Sequence, residues 1–564
     1  MRFNEEIALG GLYMTIYEKV MADKGSERSV PEKILSYPRE KLYSEWHVLF
    51  DHCRELQENV LSEILQRAQG CQYAKDHHFD GITDIDTWRK ICPVSIYKDY
   101  ESYIDAEING SQHQLYHANT AMAVATTGST GKIKVFLESE AGNAAKLLVM
   151  AVRGMIMGDL LPVTRDYSAK NLTISNYSKL GTTPNGLSIV RASGQTARNL
   201  HRQAGPMNIL TVPFWEIEGL DAEEREYAVA VFALSDVAFS KIFCNNLIAF
   251  GRVLDLIEAR GKEMIEDIRR GTFSVNTSEE TLTALNALLE ADPTRADELQ
   301  RIYDYSGAFF SNPDEILEVW PNLQMASCWM SGSVGRDAYD VIQRMPRSIR
   351  FFDMGFGATE GKFNIPMKLE SPIGAAAIFS VFFEFVPLDG GEPCCIWEIE
   401  NGKYYEMLVT TYSGLYRYNM LDVVRFDGFI GNTPKFVFCG KSTECVKREK
   451  QNIYGYEFTD VVHAIEKSKN IAFDLVQVLE EEEGVSCILS TKQSFLPDNI
   501  YSMLNEVFMQ KWKLPCKRLY IVNKQYKKQL FDDRLLTGRG ACGIKLPVII
   551  KTPPSDKVIE MIIQ

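Results

Sequence analysis

Nine residues constrain this chain most: Thr126-Thr127-Gly128-Ser129-Thr130-Gly131-Lys132-Ile133-Lys134. An apolar run, Ala121 to Ala125, precedes them, and a β-favouring run, Ile133 to Leu137, follows. The pattern predicts strand, tight turn, strand. Glycines permit positive φ and let successive N–H groups point into one concavity, which suits an anion. Hydroxyls add donors and lysines add charge. The stretch fits either a polyphosphate loop or a polar hairpin turn. It is not a Walker loop, because Thr126 and Ile133 stand where that pattern needs Gly and Ser/Thr.

At 564 residues the chain is too long for one small core, so two or more domains are expected. A net charge of −14 argues against a surface that coats nucleic acid, so an anionic ligand needs local positive charge. The twelve cysteines form no C-x-x-C pair, which excludes a zinc module and points to free thiols in the cytoplasm. Neither a signal peptide nor a membrane span is expected, since the apolar run Ile373 to Phe383 is too short.

Helical spacing predicts helices up to about Gln69, over Ala141 to Met157, and over Leu220 to Ile268. Strands are expected at Met325 to Met330, Phe351 to Met354, Ala376 to Val386, Ile396 to Ile399, Tyr404 to Thr411 and Val423 to Phe426. Gly440 reads as a domain boundary, giving residues 1–439 and 440–564.

Four further stretches carry chemistry-bearing residues. Gly355-Phe356-Gly357-Ala358-Thr359-Glu360-Gly361 exposes a carboxylate after a strand; beside phosphates it suits Mg²⁺, and otherwise it is a polar turn. Asp422 closes the block Tyr412 to Asp422 on a loop entering a strand, able to accept two ribose hydroxyls or simply to cap the strand. Gly440-Lys441 reads as a hinge or a plain linker. Lys545 lies in the Gly-rich segment Gly538 to Pro547.

In this order the stretches resemble the adenylate-forming superfamily. Glu406 to Tyr418, Phe382 to Pro387 and Trp320-Pro321-Asn322 are similar to a narrower group: the acyl acid amido synthetases, the Gretchen Hagen 3 family of auxin- and jasmonate-conjugating enzymes. The chain departs from it at Asn419 to Asp422 and Gly543 to Val548, as a divergent member would. The resemblance implies an α/β fold: a large adenylate-forming N-terminal domain of mixed sheets and helices, and a smaller mobile α+β C-terminal domain.

It also implies ATP and Mg²⁺, with a small carboxylic acid and an amino acid as substrates, and a monomer. Thr126, Thr127, Gly128, Ser129, Thr130, Gly131 and Lys134 would face the phosphates, and Glu360 the metal. Gly357, Ala358, Thr359, Asp422 and Lys441 would contact the nucleotide. Lys545 would act in catalysis with Glu360 once the small domain closes. Arg153 and Met150, on the helix after the loop, and Trp329, Met330, Ser331 and Gly332 would meet the acyl acid. An acyl-CoA or carrier-loading ligase, and a silent acyl- or nucleotide-binding protein, remain the alternatives.

Overall fold

A computed structural model describes residues 14–23, 27–126, 134–165, 169–175, 179–192, 210–213, 217, 220–448, 451–491, 499–535 and 545–563. The fold is mixed α/β, with helices and several sheets. The chain divides into two compact units, each built from three segments.

The first unit comprises Met1–Tyr167, Asn176–Met207 and Phe352–Phe438. Its larger sheet has the strand order Cys394–Cys395, Val381–Pro387, Tyr404–Thr411, Tyr418–Ile430, Thr433–Lys441, Gly374–Ala376, Asn364–Pro366. The helix Cys53–Ala68 covers this sheet with Leu56, Val60, Leu61 and Ile64, all buried at helical spacing. Buried Gln57 stitches helix to sheet: its amide donates to the Ile378 and Val381 carbonyls at 2.6 and 2.7 Å and accepts from Phe383 N at 2.8 Å. A four-stranded sheet, ordered Val135–Ser139, Thr120–Ala125, Ser188–Arg191, Lys179–Thr182, carries the root of the glycine loop.

The helix Glu140–Leu160 starts where Val135–Ser139 ends. The Ser139 hydroxyl caps it by accepting from Gly142 N at 3.0 Å and donates to the Tyr412 carbonyl at 2.8 Å. Gly142 is required here by contact: a Cβ would overlap the Ser413 hydroxyl and lie 2.7 Å from a Glu138 oxygen.

The second unit comprises Ser168–Ser175, Asn208–Phe351 and Cys439–Gln564. Its strands Lys170–Ile174, Phe239–Cys244 and Met325–Cys328 run parallel. A five-stranded sheet centred on Gly484–Ser490 packs with the helices Gly455–Lys469 and Ile500–Trp512 around Phe458, Phe508 and Trp512.

Three expectations are corrected. Leu220 to Ile268 is two helices, Ala222–Ser235 and Ile248–Arg270, separated by the strand Phe239–Cys244. That strand is buried almost throughout, and a fully buried parallel strand lacks the alternation that would distinguish it from helix. Ile396 to Ile399 is a 3₁₀ turn, Ile396–Glu398, in which the Glu398 carboxylate accepts from Cys395 N at 2.6 Å. Ala376 to Val386 is broken by a turn, closed by Ser380 N donating to the Ala377 carbonyl at 2.9 Å. No helix among the described residues is long and apolar enough to cross a membrane.

Gly142→Ala is expected to lower unfolding stability by about 1–3 kcal/mol through overpacking. The urea midpoint would measure it; an unchanged midpoint would show that Ser413 moves aside freely.

Candidate active site

The root of the glycine loop is an antiparallel pair, with Ala125 opposite Val135. Thr126 N donates to the Lys134 carbonyl at 2.8 Å, closing the pair. Strand, turn, strand is therefore correct at both flanks. Thr127, Gly128, Ser129, Thr130 and Gly131 lie outside the described residues. The Lys134 ammonium sits 5.0 Å from the Tyr97 ring centroid, and the Tyr97 hydroxyl bonds both N and O of Val135.

Glu360 lies at the tip of a tight hairpin. Phe363 N donates to the Phe356 carbonyl at 2.9 Å, Gly357 bridges Lys362, and Ala358 N donates to the Gly361 carbonyl at 2.9 Å. Ala358, Thr359, Glu360 and Gly361 thus form the turn. Phe356 stacks on Phe438 with centroids 4.6 Å apart, fixing the hairpin on the larger sheet.

Asp422 is in the strand Tyr418–Ile430, not on a loop before it. Leu408 pairs Asn419 and Glu406 pairs Val423, so Met407 alone opposes Met420, Leu421 and Asp422. Leu421 takes φ 57°, and its N–H is held by the Asn419 side chain at 2.7 Å. The bulge re-aims Asp422, a geometry that β-branched composition does not announce. Buried Tyr418 joins the two acidic positions. Burial, then the charges of Glu360 and Asp422, push its pKa up. Phe136 packs edge-on against both Tyr97 and Tyr418. One aromatic set therefore connects the loop root, Glu360 and Asp422.

The helix Glu140–Leu160 adds cations. Lys146 and Arg153, seven residues apart, lie on one face. Lys146 donates to Glu138 and, at 2.7 Å, to the Thr359 carbonyl. Arg153 donates to the Met354 carbonyl at 2.5 Å; burial lowers its pKa and Asp353 opposes that. Met150 is half-buried on the same helix. Lys362, at the hairpin base, is brought down to about 7 by burial and by the like charges of Arg153 and Lys146. Lys146, Lys362, Tyr97 and Tyr418 were not singled out from sequence. Lys146 could have been found by its heptad spacing from Arg153; the others give no comparable signal.

In the second unit, Trp329 N donates to the Asn245 carbonyl at 2.9 Å, and Ser331 precedes the helix Gly332–Ile342. Trp329, Met330, Ser331 and Gly332 are all partly accessible. The Lys545 ammonium rests 5.3 Å from the Trp329 ring centroid, so two stretches far apart in sequence meet there. Lys441 ends the strand Thr433–Lys441, where a hinge or a plain linker was expected.

Residues 43–339 match the GH3 family N-terminal domain, and residues 375–441 match the GH3 family central domain. This chain belongs to the GH3 family. Similar relatives include the indole-3-acetic acid-amido synthetase GH3.6 of Arabidopsis thaliana, 24% identical over 426 residues, which are 69% of this chain and 67% of that protein. The jasmonoyl–L-amino acid synthetase JAR4 of Nicotiana attenuata is 25% identical over 439 residues, 73% of each. Among solved structures, the AtGH3.15 acyl acid amido synthetase in complex with 2,4-DB superposes with a TM-score of 0.78 at 17% identity, over 93% of this chain and 97% of that one. The GH3 chain therefore shares that fold.

Below pH 7 Lys362 is charged in both folded and unfolded states, and the folded state bears the full desolvation cost. Between pH 7 and the ordinary lysine value only the unfolded state stays protonated, so the cost shrinks. Lys362→Met is accordingly expected to stabilise the protein most below pH 7, with the gain fading as pH rises to 9. Denaturant titrations at several pH values would show a gain independent of pH if Lys362 titrates normally.

Proposed function

We propose that this GH3 chain is an ATP-dependent acyl acid–amido synthetase. It adenylates a small carboxylic acid and transfers the acyl group to an amino acid amine, forming an amide, AMP and pyrophosphate. The observation that carries this reading is the convergence of the loop root at Thr126 and Lys134, Glu360 and Asp422 on Tyr97, Phe136 and Tyr418.

A carboxylate does not condense with an amine at neutral pH because it is a poor electrophile. ATP supplies the adenylyl group that makes it one. The chain's own residues then position reactants and balance charge. Residues Thr126 to Lys134 hold the phosphates by N–H groups, hydroxyls and the Lys134 ammonium. Asp422, buried and turned by the bulge, accepts from the ribose hydroxyls, with Gly357, Ala358 and Thr359 against the base. Arg153 orients the acid's carboxylate and Met150 of the same helix meets its acyl part, a role also proposed for Trp329, Met330, Ser331 and Gly332 of the second unit.

The donor set also fits Mg²⁺. No cluster of three His, Cys, Asp or Glu side chains occurs among the described residues, but Mg²⁺ is commonly held by one or two carboxylates with phosphate oxygens completing the shell. Glu360 is the carboxylate that would hold it, and the ion would neutralise phosphate charge. Lys545, resting on Trp329, is the mobile cation of the reaction, and Gly440-Lys441 the hinge, with Lys441 on the nucleotide. On this proposal the chain is a cytoplasmic monomer; the eleven described cysteines, all free thiols, are compatible with that reducing compartment.

The test is acid-dependent pyrophosphate release over a broad acid panel, followed by mass spectrometry of products formed with all amino acids. Amide formation is expected. No pyrophosphate with any acid, or a CoA thioester without amide, overturns the proposal. Lys545→Ala should fold normally and slow adenylation by roughly 10²–10³-fold, the scale of one lost charge-stabilising donor. An unchanged rate removes Lys545 from the site.

A further inference from the structure

Within the second unit, two segments far apart in sequence, Asn208–Phe351 and Cys439–Gln564, are joined by a compact set of opposite charges. Arg336 and Asp337 are consecutive on the helix Gly332–Ile342. Arg336 donates to both carboxylate oxygens of Glu466, on the helix Gly455–Lys469, at 2.7 and 3.3 Å, and to the Phe473 carbonyl at 3.0 Å. Asp337 takes the Lys527 ammonium, on the helix Lys524–Leu535, at 3.1 Å, and Lys527 also donates to the Asp474 carbonyl at 2.9 Å. Glu466 is fixed in turn by accepting from Phe473 N at 2.8 Å. Arg252 of the helix Ile248–Arg270, held by Glu226 at 2.9 Å, adds a third tie to Asp532 at 3.3 Å. The first two pairs are more than surface contacts, with side chains 17 and 10% exposed in one and 14 and 6% in the other. Such pairs add little net stability, but losing one partner is costly. Their order also matters. Arg336 and Asp337 face Glu466 and Lys527, so exchanging partners would set Arg336 against Lys527 and Asp337 against Glu466, two like-charge contacts. The cluster therefore admits one docked arrangement.

We infer that Arg336, Asp337, Glu466 and Lys527 form a charge-coded dock that fixes Cys439–Gln564 where Lys545 meets Trp329, and that they are positioning residues for the step Lys545 serves. This rests on the ligase reading above, in which that step is adenylation. Trp329 lies three residues before the helix that carries Arg336 and Asp337, and Lys545 lies on the segment that carries Glu466 and Lys527. The dock and the Lys545–Trp329 contact thus join the same two segments. One ammonium over one ring is worth only about 0.5–1 kcal/mol at an accessible site. That contact cannot by itself orient a segment of this size; the ion pairs can. The four side chains act through Lys545 and not on the substrates.

The experiment measures the two half-reactions separately on the full chain. One is acid-dependent pyrophosphate release; the other is amide formation from the acyl-adenylate of the best panel acid, supplied ready-made with the amino acid. Arg336→Glu and Glu466→Arg are each expected to slow pyrophosphate release by up to about 100-fold, the scale of a catalytic group displaced by about 1 Å. Amide formation from the supplied adenylate should be little changed. The combined Arg336→Glu/Glu466→Arg variant restores opposite charges and should recover most of the rate. Lys527→Met, which removes a charge without reversing one, should slow the same step and keeps the test open if a reversal fails to fold. Added to Lys545→Ala it should cost nothing further, since both act through one group. Unchanged pyrophosphate release, an equal loss in both half-reactions, a charge swap that recovers nothing, or a further loss on top of Lys545→Ala overturns the inference and leaves the ligase reading standing. Absence of pyrophosphate release from the unaltered chain is instead the failure of the ligase reading. Hydrogen exchange in the helix Gly332–Ile342 then decides: faster exchange in each reversal, recovered in the swap, supports the dock, and unchanged exchange refutes it.

Discussion

The buried carboxylate of Glu138 is the point on which the candidate site depends. It ends the strand that leaves the glycine loop, and it takes the Lys146 ammonium and the Ser413 hydroxyl, the latter at 3.2 Å. Lys146 passes the connection to the Thr359 carbonyl at the hairpin tip. One charge thereby ties the loop strand, the following helix, the Glu360 hairpin and the Tyr412–Ser413 turn into a single geometry. A buried ion pair contributes little net stability when its alternative is a well-packed apolar pair, but removing one partner costs several kcal/mol. Its value here is positional.

The Tyr412 to Tyr418 block, the most family-specific stretch of the sequence, works in the same way. The Tyr416 carbonyl accepts from Ser95 and Tyr100, and its hydroxyl donates to the Leu115 carbonyl at 2.5 Å. Arg417, at φ 46°, bonds Glu384 and the carbonyls of Arg89 and Cys92. These are buried groups fully committed to neighbouring backbone and side chains. They aim Tyr418 and the bulge that follows it, so a stretch legible as a signature contributes chiefly by orientation.

How much could be read in advance follows from these contacts. The loop flanks, the helix after them and the strands Tyr404–Thr411 and Val381–Pro387 were legible because turn chemistry and local periodicity decide them. Glu360 and Asp422 were found as residue types in order, yet what joins them, Tyr418 and Phe136, comes from different sheets. The Asp422 bulge arises from a register shift against Met407, a partner that no local pattern names. Lys362 was passed over because its meaning lies in what surrounds it: two cations from a helix more than two hundred residues earlier in the chain. The strand Phe239–Cys244 was missed because burial on both faces erases the alternation that marks a strand.

The interleaving of the two units has a consequence for how the chain is made. The first unit lacks its central sheet until Phe438 has been synthesised, while Asn208–Phe351 of the second unit emerges before the segment that completes it, Cys439–Gln564. Neither core can close in step with the ribosome. Long apolar segments must therefore wait for their partners during translation, so each core closes only after distant parts of the chain have been made.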